Sequence, residues 1–147
     1  MKRLLILSGP NLNKLGEREP DISGHDTLSD IENGCRMVAQ DYDFDIDFRQ
    51  TNSESVLIEW IQDPPRGTNG LILNAAAFTH TSLALQDALK LLDIPVIEVH
   101  LSNPGAREPV RHISYITPVA TGVISGFGAA SYYLAVRALG DMLSGQD

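Results

Sequence analysis

Short apolar runs alternate with amphipathic segments along this chain, and that alternation leaves few folds open to it. RLLILS (3–8) is an uninterrupted apolar run closed by Gly9-Pro10, and GLILN (70–74), PVIEVH (95–100) and TGVISG (121–126) repeat the pattern. Runs of this kind read as parallel strands buried on both faces. DFDIDF (43–48) is different, because Phe44, Ile46 and Phe48 share one face while three aspartates take the other. That alternation predicts a half-exposed strand at a sheet edge.

The intervening segments carry helical spacing. Leu28, Ile31, Cys35, Val38 and Tyr42 recur at steps of three and four after Thr27, which suits an N-cap. Val56, Leu57, Trp60 and Ile61 form a second stripe, stopped by Asp63-Pro64-Pro65. Leu85, Leu89 and Leu92 form a third, and Tyr132, Val136, Leu139 and Leu143 a fourth. Strands alternating with helices predict an α/β fold, a parallel sheet covered on both faces. With 147 residues, no repeat and no linker-like tract, the chain reads as one domain over 1–147.

Charge narrows the function. A formal net charge of −8 disfavours nucleic acid and anionic membrane surfaces as partners. A small anionic substrate stays open, provided Arg, His and backbone N–H groups cluster locally. The single cysteine, Cys35, rules out an intrachain disulfide framework and reads as a small buried helix residue. The apolar run at the N-terminus is too short for a signal peptide, and none reaches membrane-spanning length, so a cytoplasmic protein is expected. Four scattered histidines lack ligand spacing, so no metal is expected. No GxxxxGK[ST] is present, and GFGAAS (126–131) lacks the third glycine of a dinucleotide fingerprint, so no cofactor is expected either. An acyl-transfer role for Ser82 or Ser102 would need an elbow motif that the chain does not contain.

In open α/β sheets, ligands bind beyond the carboxyl ends of the strands. Here the first strand runs into Asn11 and Asn13, the second into Arg49, Gln50 and Asn52, the third ends at Asn74, and the fourth ends at His100 before Leu101-Ser102-Asn103. Amides and imidazoles at four strand ends point to one polar pocket. Asn side chains hold a water or an oxyanion without adding charge. His80 and His100 can exchange protons near neutral pH. Arg18 and Arg111 offer forked donors for a carboxylate or a diol. Glu98 lies two residues before His100 on the same strand face, where it could orient the ring.

Four stretches carry a family resemblance: LSGPNLNKLGEREP (7–20), FRQTNSE (48–54), ILNAAAFTHTSLALQDAL (72–89) and VIEVHLSNPGAREPVRHISYITPVATGVISGFG (96–128). Together and in this order they resemble the type II 3-dehydroquinate dehydratases, over about Leu4 to Leu139. The resemblance implies a flavodoxin-like three-layer sandwich with a five-stranded parallel sheet. It also implies a dodecamer built as a tetramer of trimers, and catalysis without cofactor or metal. The implied reaction eliminates water in the trans sense from 3-dehydroquinate through an enolate, giving 3-dehydroshikimate, in the shikimate pathway or in quinate breakdown. By the same resemblance, Asn11 holds the enolate through a water and His100 protonates the departing hydroxyl. Asn74, Ser102 and the neighbouring Leu101 backbone hold the substrate carboxylate. His80 and Arg111 grip ring hydroxyls, and Asp87 reaches in from an adjacent subunit. Arg18, supported by Glu19, sits on a lid and lowers the pKa of the base.

That base is the point of departure. The family's lid reads Arg-Glu-Pro-x-x-Tyr-Gly, and its tyrosine removes the proton; here the register is Arg18, Glu19, Pro20, Asp21, Ile22, Ser23, Gly24. A serine hydroxyl is shorter and far less acidic than a phenol. Three explanations stay open from sequence: a slow enzyme, a substitute base (His25, Asp26 or a water held by Ser23), or a paralogue acting on or binding a related cyclic polyol acid. Against the second, His25 and Asp26 read as a solvated turn, with Asp26 helping to cap the helix that follows.

Overall fold

The computed structural model describes residues 1–17 and 25–145. Five strands, β1 (Lys2–Ser8), β2 (Phe44–Gln50), β3 (Thr68–Asn74), β4 (Val96–His100) and β5 (Gly122–Ser125), form one sheet in the order β2-β1-β3-β4-β5. Every neighbouring pair is parallel. The helices are α1 (Leu28–Gln40), α2 (Glu54–Gln62), α3 (Leu83–Leu89) and α4 (Ala130–Leu143). This order is that of a flavodoxin-like doubly wound sheet.

The period of two along a strand divides β1 between two cores. Leu4 and Ile6 pack with Ile31, Cys35, Tyr132, Val136 and Leu139 from α1 and α4. Leu5 and Leu7 pack with Leu57, Ile61, Leu85 and Leu89 from α2 and α3. All four β1 residues are at most 1% exposed, which is why the run carries no polar interruption. Cys35 lies fully buried among them, and burial pushes its thiol pKa up to about 12, so it stays protonated and inert.

Local chemistry sets the helix boundaries. Thr27 accepts from the Asp30 backbone N–H at 3.1 Å, while Asp30 accepts in return from the Thr27 N–H at 3.0 Å. This reciprocal capping box starts α1, so Thr27 and not Asp26 supplies the cap. Ser53 caps α2 and Ser82 caps α3. The apolar stripes overrun two helices. Tyr42 lies past the end of α1 and Leu92 past the end of α3, each in the turn that follows. Tyr42 tilts against Phe44 and covers Gly140, where an added Cβ would meet its ring at 2.7 Å.

The expectation for TGVISG needs correcting. β5 is a four-residue edge strand, paired only with β4, and Val123 is 45% exposed. Its apolar run matches that of a central strand, but one long side and part of its face lie uncovered within this chain. DFDIDF does form the other edge, as its alternation requires. Among the described residues, no helix is long and apolar enough to cross a membrane.

Candidate active site

The carboxyl ends of β1, β3 and β4 open into one cleft. Its lining includes Asn11 and Leu12 after β1, Asn74 and Ala76 at the end of β3, His80 in the following turn, and His100, Leu101 and Ser102 at the end of β4. Arg107 and Arg111 close one side. No carboxylate side chain lines this cleft among the described residues, although the chain as a whole is acidic.

The β1 turn is built for close approach. The Gly9 N–H donates to the Asn74 carbonyl at 2.8 Å, and a Cβ on Gly9 would sit 2.7 Å from the Ala75 carbonyl oxygen. Only glycine fits there. Two residues on, Asn11 adopts φ 70°, a left-handed conformation that asparagine tolerates better than most residues. Its backbone N–H donates to Asn52 Oδ1 at 2.9 Å. Gln50 donates to that same oxygen and to the Gly9 carbonyl, both at 3.1 Å. Gln50 and Asn52 therefore brace the Asn11 turn instead of lining the cleft. Arg49 pairs with Asp47 at 2.9 Å and lies over Trp60, and Asn13 is exposed outside the lining.

Asn74 is 4% exposed, and its Oδ1 accepts from the Ala76 N–H at 3.1 Å. Beneath it the hydroxyl of Tyr132 meets Ser8 Oγ at 2.9 Å. Burial, only partly offset by hydrogen bonding, pushes the Tyr132 pKa above its ordinary value, so the phenol stays neutral beneath the amide.

The two imidazoles stand side by side, nearly parallel, with centroids 6.4 Å apart. His80 Nδ1 lies 2.7 Å from the Ile113 carbonyl, which can only accept, so Nδ1 carries the hydrogen. His100 Nε2 lies 2.5 Å from Glu98 Oε2. Burial raises the Glu98 pKa, but hydrogen bonds from His100, Thr117 and Ser114, together with the charge of His100, outweigh it and leave the pKa below the ordinary value. An ionised carboxylate makes Nε2 the donor, leaving Nδ1 as the ring nitrogen free to exchange a proton.

Arg111 donates through Nε to Glu108 at 2.6 Å, and Arg107 Nε lies 3.9 Å from the same oxygen. Arg107 also donates to Ser102 Oγ at 3.3 Å. The sequence reading singled out Arg111 and passed over Arg107. The signal was available: two arginines one helical turn apart around Glu108 are held together by a single carboxylate. Asp87 lies outside the cleft, its side chain 73% exposed and 3.8 Å from Lys90. Arg18, Glu19 and Ser23 lie outside the described residues. Among the described residues no group of three His, Cys, Asp or Glu side chains could hold a metal.

The "Dehydroquinase class II" family model matches residues 2–140. A 3-dehydroquinate dehydratase of Hyphomonas neptunium is 58% identical over 137 residues, covering 93% of this chain and 92% of that protein. The one from Caulobacter vibrioides is 52% identical, covering 94% of each. Among solved structures, the type II dehydroquinase of Propionibacterium acnes superposes with a TM-score of 0.91 at 39% identity, over 96% of this chain and 97% of that one.

The Glu98 network gives a pH signature. A buried carboxylate with a depressed pKa stabilises the fold above the ordinary carboxylate value, near 4.5, and loses that stabilisation as pH falls toward the folded value. Urea midpoints of the native chain should therefore fall on acidification below about 4.5, and Glu98→Gln should show a shallower fall across the same window. Equal slopes would mean that the carboxylate is not held ionised by its partners.

Proposed function

This chain belongs to the class II dehydroquinases, and from that membership we propose how its own residues divide the reaction. The protein is a hydro-lyase: it eliminates water from 3-dehydroquinate through an enolate to give 3-dehydroshikimate, a step of the shikimate pathway. The proton on carbon 2 is acidified by the neighbouring ketone, so the enolate oxygen is where charge develops. Asn11 stabilises it through a bound water. The hydroxyl on carbon 1 leaves as water after taking a proton from His100 Nδ1, with Glu98 supporting the imidazolium. Asn74, Ser102 and the Leu101 backbone hold the carboxylate, beside a cationic wall from Arg107 and Arg111. His80 and Arg111 take ring hydroxyls.

The observation that carries this reading is the His100–Glu98 pair, set into a cleft that also holds Asn11 and Asn74 and whose described lining has no carboxylate. A leaving hydroxide needs an acid, and His100 is the imidazole in the cleft backed by a buried carboxylate. His100→Ala, made together with Ser23→Tyr so that slow proton removal does not mask the later step, should lower kcat about a hundredfold or more relative to Ser23→Tyr alone, as loss of general acid catalysis does. The readout is absorbance of the conjugated enone product. A double variant that keeps the kcat of Ser23→Tyr would remove His100 from the acid role.

Ser23 stands where the family places its tyrosine base, and we propose that this makes proton removal the slow step, with Arg18 retained beside it in sequence. Ser23→Tyr should raise kcat about a hundredfold or more while KM changes by a small factor. A native chain that already turns over rapidly, with no gain from tyrosine, would show that another group takes the proton. The same serine favours one further reading, an impaired paralogue that binds or converts a related cyclic polyol acid. Calorimetry would expose it as tight binding of quinate without turnover of dehydroquinate.

We also propose assembly as a dodecamer. Asp87 lies on α3 away from its own cleft, its side chain 73% exposed, which suits a residue that completes a neighbour's site. Sedimentation velocity should give one species near twelve chain masses of 16.0 kDa each. A monomeric peak would overturn this and strip Asp87 of its role.

A further inference from the structure

Behind the cleft, the turn at residues 114–117 reaches the same buried carboxylate as His100. Glu98 is 2% exposed, and three donors converge on it. Its Oε2 accepts from His100 Nε2 at 2.5 Å and from Ser114 Oγ at 2.8 Å, and its Oε1 accepts from Thr117 Oγ1 at 2.5 Å. The ionisable group that bears on this carboxylate is His100 itself.

The direction of the Ser114 hydroxyl is settled by its other contacts. Ser114 Oγ accepts the backbone N–H groups of Ile116 and Thr117, both at 3.0 Å. With its lone pairs occupied by those donors, its proton points at Glu98. The turn is also pinned without help from Glu98. The Tyr115 N–H donates to the Thr79 carbonyl at 2.8 Å, Gln86 donates to the Tyr115 carbonyl at 2.8 Å, and Ile116 is fully buried. The Ser114 hydroxyl is thus aimed at Glu98 independently of the imidazole, and the Thr117 hydroxyl is carried on the same pinned turn.

We propose that Ser114 and Thr117 are positioning residues for His100, acting through Glu98. By filling the carboxylate's remaining acceptor sites they fix its rotamer and keep it an acceptor toward Nε2. That locks the neutral ring in the Nε2–H tautomer, so Nδ1 is the nitrogen that takes up a proton and, from the imidazolium, delivers it to the leaving hydroxyl. A carboxylate stripped of one donor could rotate or protonate, and the ring would then lose the partner that selects its tautomer. The proposal rests on the reading of His100 as the acid only for its kinetic consequence; the tautomer claim stands on geometry.

The test compares Thr117→Val, Ser114→Ala and the hydroxyl-retaining Thr117→Ser in the full-length protein, with folding followed by thermal unfolding. Nitrogen-15 chemical shifts of the His100 ring should show a single Nε2–H tautomer in the native chain and in Thr117→Ser. Thr117→Val and Ser114→Ala should show mixed tautomers. Measured with Ser23→Tyr in place, so that the second step shows in kcat, loss of one hydrogen bond to a charged group should lower kcat about tenfold to a hundredfold, with KM little changed. The acidic limb of the kcat profile should move to higher pH, because the carboxylate protonates more readily. Folded variants that keep the native ring pattern overturn the proposal. So does a kcat loss uniform across pH that Thr117→Ser fails to rescue. Should Thr117→Val not fold, Ser114→Ala decides by the same ring pattern. A chain inactive on dehydroquinate even with tyrosine at 23 would sink the catalytic reading and leave the ring pattern to judge the positioning claim alone.

Discussion

The close approach of β1 and β3 at their carboxyl ends organises everything above the sheet. Ser8 and Asn74 are register partners, and one residue later the Gly9 N–H reaches back to the Asn74 carbonyl at 2.8 Å. A side chain at position 9 would break this contact, since its Cβ would press on the Ala75 carbonyl. Because the backbones meet there, Asn11 turns over the sheet top in a left-handed conformation and Asn74 sits under it. Tyr132 then secures Ser8 from the helix layer below. Two amides from distant parts of the sequence are thereby fixed by backbone geometry and need no charge to hold them.

Negative charge is kept out of the described cleft lining and placed behind it and at its rim. The chain carries a formal −8, yet the described cleft lining holds His and Arg side chains and no carboxylate. The acids that matter serve from outside the lining. Glu98 sits beneath His100, and Glu108 holds Arg107 and Arg111 from the rim. An anionic substrate thus meets cations and amides, while an imidazolium formed in the cleft still has a carboxylate against its far nitrogen. Low local dielectric strengthens the buried His100–Glu98 contact relative to water, while the exposed Glu108 pairs are screened.

The fold was legible because its signals are periodic. Leu4 to Leu7 announced a strand buried on both faces, and DFDIDF announced an edge. TGVISG could not be read the same way, because an apolar run does not say which of its neighbours lies in the same chain. Tyr42 and Leu92 kept helical spacing past the helix ends, since a turn can bury a side chain as well as a helix can. In the site, residues at or after strand ends were readable as a group: Asn11, Asn74, His80, His100, Leu101 and Ser102 share one cleft, and Arg111, singled out by its forked donors, joins them. Gln50 and Asn52 were placed at the right rim but serve as braces, a distinction set by hydrogen-bond geometry. Ser114 and Thr117 lie in an irregular segment, where no period marks which side chain turns inward, so nothing in the sequence singles them out.

On the proposed division of roles, the substitution at position 23 bears on one barrier and leaves the others in place. Elimination through an enolate separates proton removal from hydroxyl departure, so the groups serving each step can change independently. Stabilising the enolate oxygen lowers both barriers, because the same charge is present in both transition states; one such donor contributes about 3 kcal/mol in comparable oxyanion sites. Protonation of the leaving hydroxyl belongs to the second step alone, the step proposed for His100 with Glu98. Retaining Asn11, His100, Glu98 and the carboxylate-holding groups therefore keeps the second step intact and holds the intermediate low. On the same proposed division, what serine loses is confined to the first step, where a weak acceptor must still reach carbon 2. The missing phenol then removes rate and not reaction type.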